Sequence, residues 1–354
     1  MTAPSSSTVD TVGAIEARLA ELRCRPDGVD AETGFVRART LNLVVYAETA
    51  EVARQAEATL ASLAQTFPSR AVLVIPGEEQ AEPGISAAVS TECHRVRDRL
   101  VCYEQISIHT RGGSSRHVLG VVEPLLVSHL PVCLWWLADP SFSHDAFRQL
   151  ASISQRIILD SRGFRELPRD FAELQRLVQT GTHIVDDLTW QRLLPWRQVM
   201  AQLFPGEEGT RHLAAVERVR VECGQRQRAE AVLLLAWLAA ALRWDTEGGV
   251  RCPDTTGARD ISVLVEPTTA EDGLRSVEIA TGPQEASDRF VLSRDGPEMV
   301  ARIRGSSVTE VSRRSHVQWP DDCDLIQTGL ALRGGDPVFE QALAHAENLS
   351  VIAA

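Results

Sequence analysis

The chain has 354 residues, of which 44% are hydrophobic, and these values indicate a globular protein large enough for two domains. Its formal net charge of -12 argues against nucleic acid or an anionic membrane as the main partner, because both are bound by positive surfaces. Every basic residue is arginine, which excludes a Schiff-base lysine, a lysine general base and a Walker-type phosphate lysine.

The sequence favours a cytoplasmic protein. Its first residues, MTAPSSSTVDTVG, lack the apolar core of a secretion signal. The longest apolar run, AVLLLAWLAAAL (231–242), is too short to span a bilayer and is typical of a buried helix. The 7 cysteines contain no CxxC pair, which suits reduced thiols better than a disulfide framework.

The first half of the chain alternates predicted strands and helices. Residues 1–36 are predicted to form an extension that begins rich in serine and threonine and continues as a short helix. A strand, a helix and a second strand follow over 40–77, an order that requires parallel pairing through a right-handed crossover. Two strands around Arg97-Asp98 predict a hairpin. A helix over 114–130 and further strands and helices complete an α/β domain with a mixed sheet, residues 37–186.

The second half has a different pattern. Residues 187–211 are predicted to be a connecting helix followed by a loop-like break at PGEEGTR (205–211). Residues 212–354 then contain a strand, a long helix and four short strands at regular spacing, which indicates an antiparallel sheet. Two helices close the chain. The predicted fold class is therefore an N-terminal α/β domain with a C-terminal α+β domain.

The connecting segment DLTWQRLLPWRQVMAQLF (187–204) is rich in tryptophan and arginine. A helix is predicted from Thr189, and Pro195 should end it and begin a second helix. Trp196, Met200 and Leu203 then recur on one buried stripe, with Arg197 off the stripe and able to bridge to a carboxylate. Two interpretations stay open, core packing at a domain junction and partner contact, for the same four residues: Trp190, Arg192, Trp196 and Arg197.

A glycine- and serine-rich stretch, HTRGGSSRH (109–117), is a candidate anion site. Its glycines permit close backbone approach, and a helix start offers N–H donors to a phosphate. The candidate ligands are Arg111, Gly112, Gly113, Ser114, Ser115 and Arg116. A second strand end, LDSRGF (159–164), has a similar composition. The alternative interpretation is an ordinary glycine turn with a serine N-cap.

A cysteine pair and an acidic cluster give weaker indications of a functional site. Cys93 and Cys102 are equidistant from the predicted turn, so we expect them to pair across the hairpin, where they are a candidate redox pair. PDDCD (320–324) is more typical of a solvated helix start than of a cation site. The sequence has no GxGxxG after a strand and no GxxxxGK[ST], HExxH or GxSxG. We therefore predict no cofactor, no metal and no catalytic residues.

Three blocks resemble the OpcA family, the assembly proteins of glucose-6-phosphate dehydrogenase. They are LLVSHLPVCLWWLADPSF (125–142), ILDSRGF (158–164) and DLTWQRLLPWRQVMAQLF (187–204). The resemblance implies a non-catalytic protein of the pentose phosphate pathway that binds the dehydrogenase and promotes its active oligomeric state as an allosteric activator. The alternative is a sugar-phosphate-binding enzyme or metabolite sensor that uses the loop at 111–117, with His109, His117 and Asp160 as its acid–base candidates.

Overall fold

The computed structural model describes most of the chain. The described residues are 8–9, 13–15, 17, 35–37, 39–78, 80–96, 99–112, 117–138, 142–254, 257–269, 273–282, 287–305 and 309–353. They divide into two compact units. The first unit comprises Met1–Asp160, Gly181–Asp186 and Asp322–Gly334, and the second comprises Ser161–Thr180, Asp187–Asp321 and Gly335–Ala354.

The units differ from the predicted consecutive domains by two exchanges. Residues 161–180 belong to the second unit although they precede the predicted boundary at 186, and residues 322–334 belong to the first unit although they lie near the end of the chain. Such exchanges leave no local trace in a sequence, because they depend on which distant surface covers each helix. Most of the predicted extension, residues 1–36, lies outside the described residues.

The first unit is built on a mixed sheet. Its strands, in chain order, are β1 Thr8–Val9, β2 Phe35–Arg37, β3 Leu41–Ala47, β4 Ser69–Pro76, β5 Gly84–Val96, β6 Arg99–Arg111, β7 Val132–Leu137, β8 Arg156–Leu159 and β9 Ile184–Asp187. Its helices are α1 Ala50–Leu63, α2 Val118–Val122 and α3 Asp145–Ser152. The strand order is β1-β5-β6-β4-β3-β7-β8-β9, and β2 pairs with β6.

The central strands of this sheet are buried along their length. Every residue of β3 (LNLVVYA) is buried, as expected for a parallel strand that is covered on both faces. Strands β3 and β4 pair in parallel, as do β3 and β7, so the predicted parallel pairing of β3 and β4 is confirmed. The hairpin of β5 and β6 is antiparallel, and Val96 pairs with Arg99. Arg97 and Asp98, where the turn is predicted, lie outside the described residues.

The second unit combines a sheet with packed helices. Its helices are α4 Leu167–Gln179, α5 Leu188–Arg192, α6 Leu194–Gln202, α7 Gly206–Ala214, α8 Arg228–Leu242 and α10 Pro337–Ala353, whereas α9 Asp322–Ala331 belongs to the first unit. Its main sheet has β10 Val216–Gly224, β13 Ser262–Thr268, β14 Leu274–Thr281, β15 Asp288–Asp295, β16 Glu298–Arg304 and β17 Val311–His316, and a separate hairpin joins β11 Arg251–Asp254 to β12 Gly257–Asp260.

Burial alternates along the main sheet of the second unit. In β10, Val219, Val221 and Cys223 are buried, whereas the residues between them are partly exposed. Helix α8 packs on β10, and its first turns and middle are almost entirely buried. This one-sided burial explains why the strands alternate in sequence. The predicted fold class, an α/β domain followed by an α+β domain, is confirmed.

Two local predictions were wrong. PGEEGTR is not a break but the start of α7, in which Glu207 and Glu208 occupy the first turn and Arg211 the last, favourable positions for the helix dipole. The helix predicted over 114–130 is much shorter, because α2 ends at Val122 and a 3-10 turn containing Pro124 follows.

The predicted antiparallel sheet is larger and less uniform than expected. Strand β13 pairs with β10 in parallel, and β17 (VSRRSH) adds an edge strand that was not predicted. Nearly every residue of β17 is exposed. An edge strand with charged side chains on both faces lacks the apolar alternation by which strands are recognised.

Candidate functional site

The Trp/Arg segment forms two short helices. Asp187 caps α5, since its side chain accepts a hydrogen bond of 3.0 Å from the Thr189 N–H, and α6 begins with Pro195 in its first turn. The predicted break at Pro195 is therefore confirmed. Trp190 and Trp196 are each 3% exposed. Both indoles are thus part of the core of the second unit.

Trp190 is the centre of a packed polar cluster. Its Nε1 donates a hydrogen bond of 2.7 Å to Asp336, and its ring lies 5.3 Å from that of Phe339. The Arg197 guanidinium lies 3.7 Å from the indole centroid and donates to the Trp190 carbonyl at 3.2 Å. Burial lowers the pKa of Arg197 to about 10, although nearby Asp336 opposes the shift.

This arrangement corrects the interpretation of Arg197. The side chain lies off the stripe of Trp196 and Met200, as predicted, but it packs on an aromatic ring within the same unit and does not form the predicted carboxylate fork. Leu203, the third predicted member of the stripe, is half-buried, and so is Arg192. Partner contact by this segment stays a prediction, and burial of both indoles limits it to the exposed edges of α5 and α6.

The main sheet of the second unit has one partly exposed face, which we call the open sheet face. Strand register places its residues in three rows. They are Ser262, Arg218, Ala280, Arg289 and Arg304; Leu264, Arg220, Glu278, Val291, Arg302 and Ser312; and Glu266, Glu222, Ser276, Ser293, Val300 and Arg314. Arginines outnumber glutamates in these rows. The next row of the same face, Asp295, Glu298 and His316, adds two carboxylates. Six arginines therefore stand against five acidic residues, a small excess of arginine in a chain whose net charge is -12.

Several charges on the open sheet face are held in place by one another. The Arg220 guanidinium donates to Glu266 through Nε at 2.8 Å, and Glu222 accepts a hydrogen bond of 2.7 Å from Ser276. Leu264, on the edge strand of the same row, is 46% exposed. Arg289 and Arg302 are exposed. Sequence reasoning missed this face, although arginines at alternate positions of VERVRVEC were a signal for it.

A second feature of the same unit is a cavity of about 920 Å³, which we call the arginine cavity. Arg162 and Gly163 of the LDSRGF stretch lie in its wall, and anion binding by that stretch stays a prediction. Two further segments complete the wall, and the lining residues are Arg162, Gly163, Phe164, Arg165, Glu166, Leu167, Pro168, Gln225, Arg226, Arg228 and Ala229.

The glycine- and serine-rich stretch of the first unit is described at residues 109–112 and at its last residue, His117. Gly112 has a φ of 58°, and its N–H donates to the Glu78 carbonyl at 2.9 Å. A Cβ at this position would lie 2.5 Å from the Ala81 carbonyl oxygen, so the turn requires glycine. Arg111 ends β6. Gly113, Ser114, Ser115 and Arg116 lie outside the described residues, and the anion site stays a prediction.

The hairpin register pairs Cys93 with Cys102, as predicted. Their redox role stays a prediction. Among the described residues, no group of three or more His, Cys, Asp or Glu side chains is arranged to hold a metal ion. The described helices also include none that is both long and apolar enough to cross a membrane.

Two family models match the chain in order. The model described as the glucose-6-phosphate dehydrogenase subunit N-terminal domain matches residues 60–176, and the model described as the C-terminal domain of that subunit matches residues 183–343. Together they cover most of both units.

Curated proteins provisionally named OxPP cycle protein OpcA are similar to this chain. The protein from Nostoc punctiforme is 31% identical over 182 residues, which are 50% of this chain and 38% of the relative. The protein from Synechococcus elongatus is 30% identical over 224 residues, which are 62% of this chain and 49% of the relative. The matched parts thus span half or less of these relatives' lengths.

Among solved structures, a 3-ketoreductase from Actinomadura kijaniata is similar over 89% of this chain and 97% of that chain, with a TM-score of 0.49 and 9% identity. A similarity at this level says nothing about activity. The two family models and the OpcA relatives are the informative matches. The chain belongs to the OpcA family, which is named for the assembly of glucose-6-phosphate dehydrogenase in the OxPP cycle.

Proposed function

We propose that this chain is a non-catalytic assembly subunit that binds glucose-6-phosphate dehydrogenase and promotes its active oligomeric state. The observation that carries the proposal is the ordered match of two family models, both described as domains of a glucose-6-phosphate dehydrogenase subunit. The sequence supports a non-catalytic role, because it has no dinucleotide fingerprint after a strand and no lysine. The dehydrogenase chemistry would then belong entirely to the partner.

The open sheet face is the surface that we propose for the dehydrogenase. Strands spaced about 4.8 Å apart, with about 3.3 Å per residue, give a face on the order of 600 Å². That area approaches the roughly 800 Å² that each partner contributes to a standard interface. Arginine is enriched at interface hot spots, and this face combines arginines with the exposed Leu264. We therefore expect an acidic, partly apolar patch on the dehydrogenase.

The test mixes the purified chain with the dehydrogenase of the same organism. We expect a complex of higher mass by light scattering and a rise in dehydrogenase activity. The Arg289→Glu, Arg302→Glu double variant should weaken both effects, since it reverses two exposed charges of the open sheet face that make no ion pair with the described residues.

The matched control is the Arg54→Glu, Arg148→Glu variant. These arginines lie on helices of the first unit, their side chains are 71% and 65% exposed, and each pairs with an acid three residues away. The control should bind as the parent chain does. Unchanged mass and unchanged activity on mixing the parent proteins would refute the assembly role, whereas equal binding by both double variants would refute only the docking face.

A further inference from the structure

The arginine cavity lies entirely within the second unit and is assembled from two segments. One runs from the 3-10 turn Ser161–Gly163 into the first turn of α4, and the other is the turn that precedes α8. The segments are about sixty positions apart, yet each contributes two arginines, which are Arg162 and Arg165 from the first and Arg226 and Arg228 from the second. Their convergence on one concavity concentrates positive charge in a chain that is acidic overall.

Acidic residues near the cavity offset part of its positive charge. Glu166 lines the wall and is exposed. Glu230 is buried, accepts one hydrogen bond of 3.1 Å from the Leu274 N–H and lies 3.3 Å from the Arg162 Nε. Glu230 therefore holds the partly exposed Arg162 in a fixed position. Arg226 is exposed and makes no ion pair within the part of the chain that the structure describes.

Helix α8 adds backbone donors to the same wall. It begins at Arg228, and its N-cap residue Gln227 makes no side-chain capping hydrogen bond. Arg228 and Ala229, the first residues of the helix, both line the cavity. The first-turn N–H groups and the positive end of the helix dipole are suited to an anion. A guanidinium cluster around a helix start is the combination of donors that recognises phosphate.

The size and wall composition of the arginine cavity restrict which group can accompany a bound phosphate. The volume of about 920 Å³ is much larger than a phosphate ion requires and is within the usual range of small-molecule sites. Phe164 is the lining aromatic residue, and it is buried with its ring 5.1 Å from that of Phe171. It therefore offers no exposed face on which a nucleobase could stack. The rest of the wall combines polar side chains with the apolar Leu167, Pro168 and Ala229, which suits a ligand whose body carries hydroxyl groups on an aliphatic ring.

We propose that the arginine cavity binds a small phosphorylated metabolite of the sugar-phosphate class. The arginines and the start of α8 hold the phosphate, and the remaining volume accommodates the polar body. The inference does not rest on the assembly role, because it concerns the isolated chain. It makes this subunit a candidate sensor of a phosphorylated metabolite.

The test is calorimetric titration of the full chain at constant ionic strength with a hexose 6-phosphate, with inorganic phosphate and with the unphosphorylated hexose. We expect saturable binding of the hexose phosphate, weaker binding of inorganic phosphate and no binding of the hexose. The Arg165→Gln, Arg226→Gln variant should lose about tenfold or more in affinity, since it removes two charge-assisted contacts. Both side chains are exposed, so the variant should fold as the parent does.

The control is Arg176→Gln, an exposed arginine of α4 outside the cavity wall, which should bind as the parent chain does. Three results would overturn the proposal. They are no saturable heat with the hexose phosphate, equal affinity for inorganic phosphate and the hexose phosphate, or an equal loss of affinity in the control and the double variant. None of these measurements requires the dehydrogenase, so their failure is separate from failure of the assembly role.

Discussion

Arg197 contacts Trp190 through both the indole ring and the backbone carbonyl. The guanidinium covers the indole face at 3.7 Å, and its donor reaches the Trp190 carbonyl. A cation over an aromatic ring contributes about 0.5–2 kcal/mol, depending on its desolvation. The lowered pKa of Arg197 reports that burial opposes this gain. The net contribution of Arg197 to stability should therefore be small.

Trp196→Ala should be strongly destabilising. The indole is 3% exposed and lies 6.2 Å from the ring of Trp319, so its removal leaves a cavity in the second unit. Such a truncation typically costs about 3–5 kcal/mol. Chemical denaturation of the variant measures the loss. Leu194→Ala, at a side chain that is 45% exposed in the same helix, is the control and should change the free energy of unfolding by less than about 0.5 kcal/mol.

Arg197→Ala and Trp196→Ala compare the stability contributions of two neighbouring side chains in the same segment. We expect Arg197→Ala to cost clearly less than Trp196→Ala, because desolvation of the guanidinium offsets its ring contact. Equal losses for Trp196→Ala and Leu194→Ala would show that the buried stripe is wrongly placed.

His345 should make stability depend on pH. Burial lowers its pKa below the usual 6.5, although Asp245 opposes the shift, and its Nδ1 lies 3.1 Å from the Thr246 hydroxyl. The unfolded chain therefore binds a proton at this residue at higher pH than the folded chain does. The free energy of unfolding should consequently fall as the pH drops below 6.5 toward the folded pKa.

The measurement compares parent and His345→Gln chains by denaturation at about pH 7.5 and about pH 5.5, on either side of the ordinary imidazole pKa. The variant should lose part of the pH dependence. His109→Gln, at an exposed histidine of β6, is the control and should retain it. Identical pH dependence in the parent and His345→Gln chains would contradict the assigned direction.

At the scale of elements, a proline and a glycine shape the helices after β9. Pro195 ends α5 and is accommodated in the first turn of α6, where its missing N–H has no intrahelical partner to lose. Gly209 lies inside α7, where a Cβ would meet the Phe204 backbone carbon at 2.2 Å. The helix can therefore pack against the preceding chain only because this residue is glycine.

Gly209→Ala should destabilise the protein, because the added methyl group collides with backbone atoms that cannot move aside without shifting α7. Gly120→Ala is the matched control, since Gly120 is also within a helix but has no atom within 4 Å of an added Cβ. That control should be neutral or gain up to about 1 kcal/mol, the difference in helix propensity. A gain of stability in Gly209→Ala would mean that α7 is not seated against Phe204.

At the scale of the whole molecule, the chain is acidic on average but has local sites that are rich in arginine. The net charge is -12, yet the open sheet face and the arginine cavity both carry an excess of arginine. Exposed arginines accelerate and orient association with an acidic partner. Composition alone would have assigned this chain no positive surface.

Association with the dehydrogenase should consequently weaken as salt concentration rises. Exposed charges are screened within about 8 Å at an ionic strength near 0.15 M, so the association rate should fall most steeply below that value. Surface plasmon resonance over a series of salt concentrations measures the slope. The Arg289→Glu, Arg302→Glu variant should show a smaller slope than the parent, and a salt-independent rate in the parent would exclude the open sheet face as the contact.

Local patterns in the sequence were enough to predict the strand–helix order, the parallel pairing of β3 and β4, the pairing of Cys93 with Cys102 and the break at Pro195. Each depends on periodicity or on the geometry of a single residue, which act over a few positions. The family resemblance rested on short blocks of the same kind.

Only the tertiary structure decided which unit each segment joins and which charged residues lie together. Residues 161–180 and 322–334 belong to units other than the domains predicted for them, because the surfaces that cover them are distant in sequence. Arg162 and Arg226 line one cavity for the same reason, and alternate arginines form one arginine-rich face only after strands separated by loops come into register. Contacts between distant residues are set by packing of the whole chain, and no window of the sequence contains them.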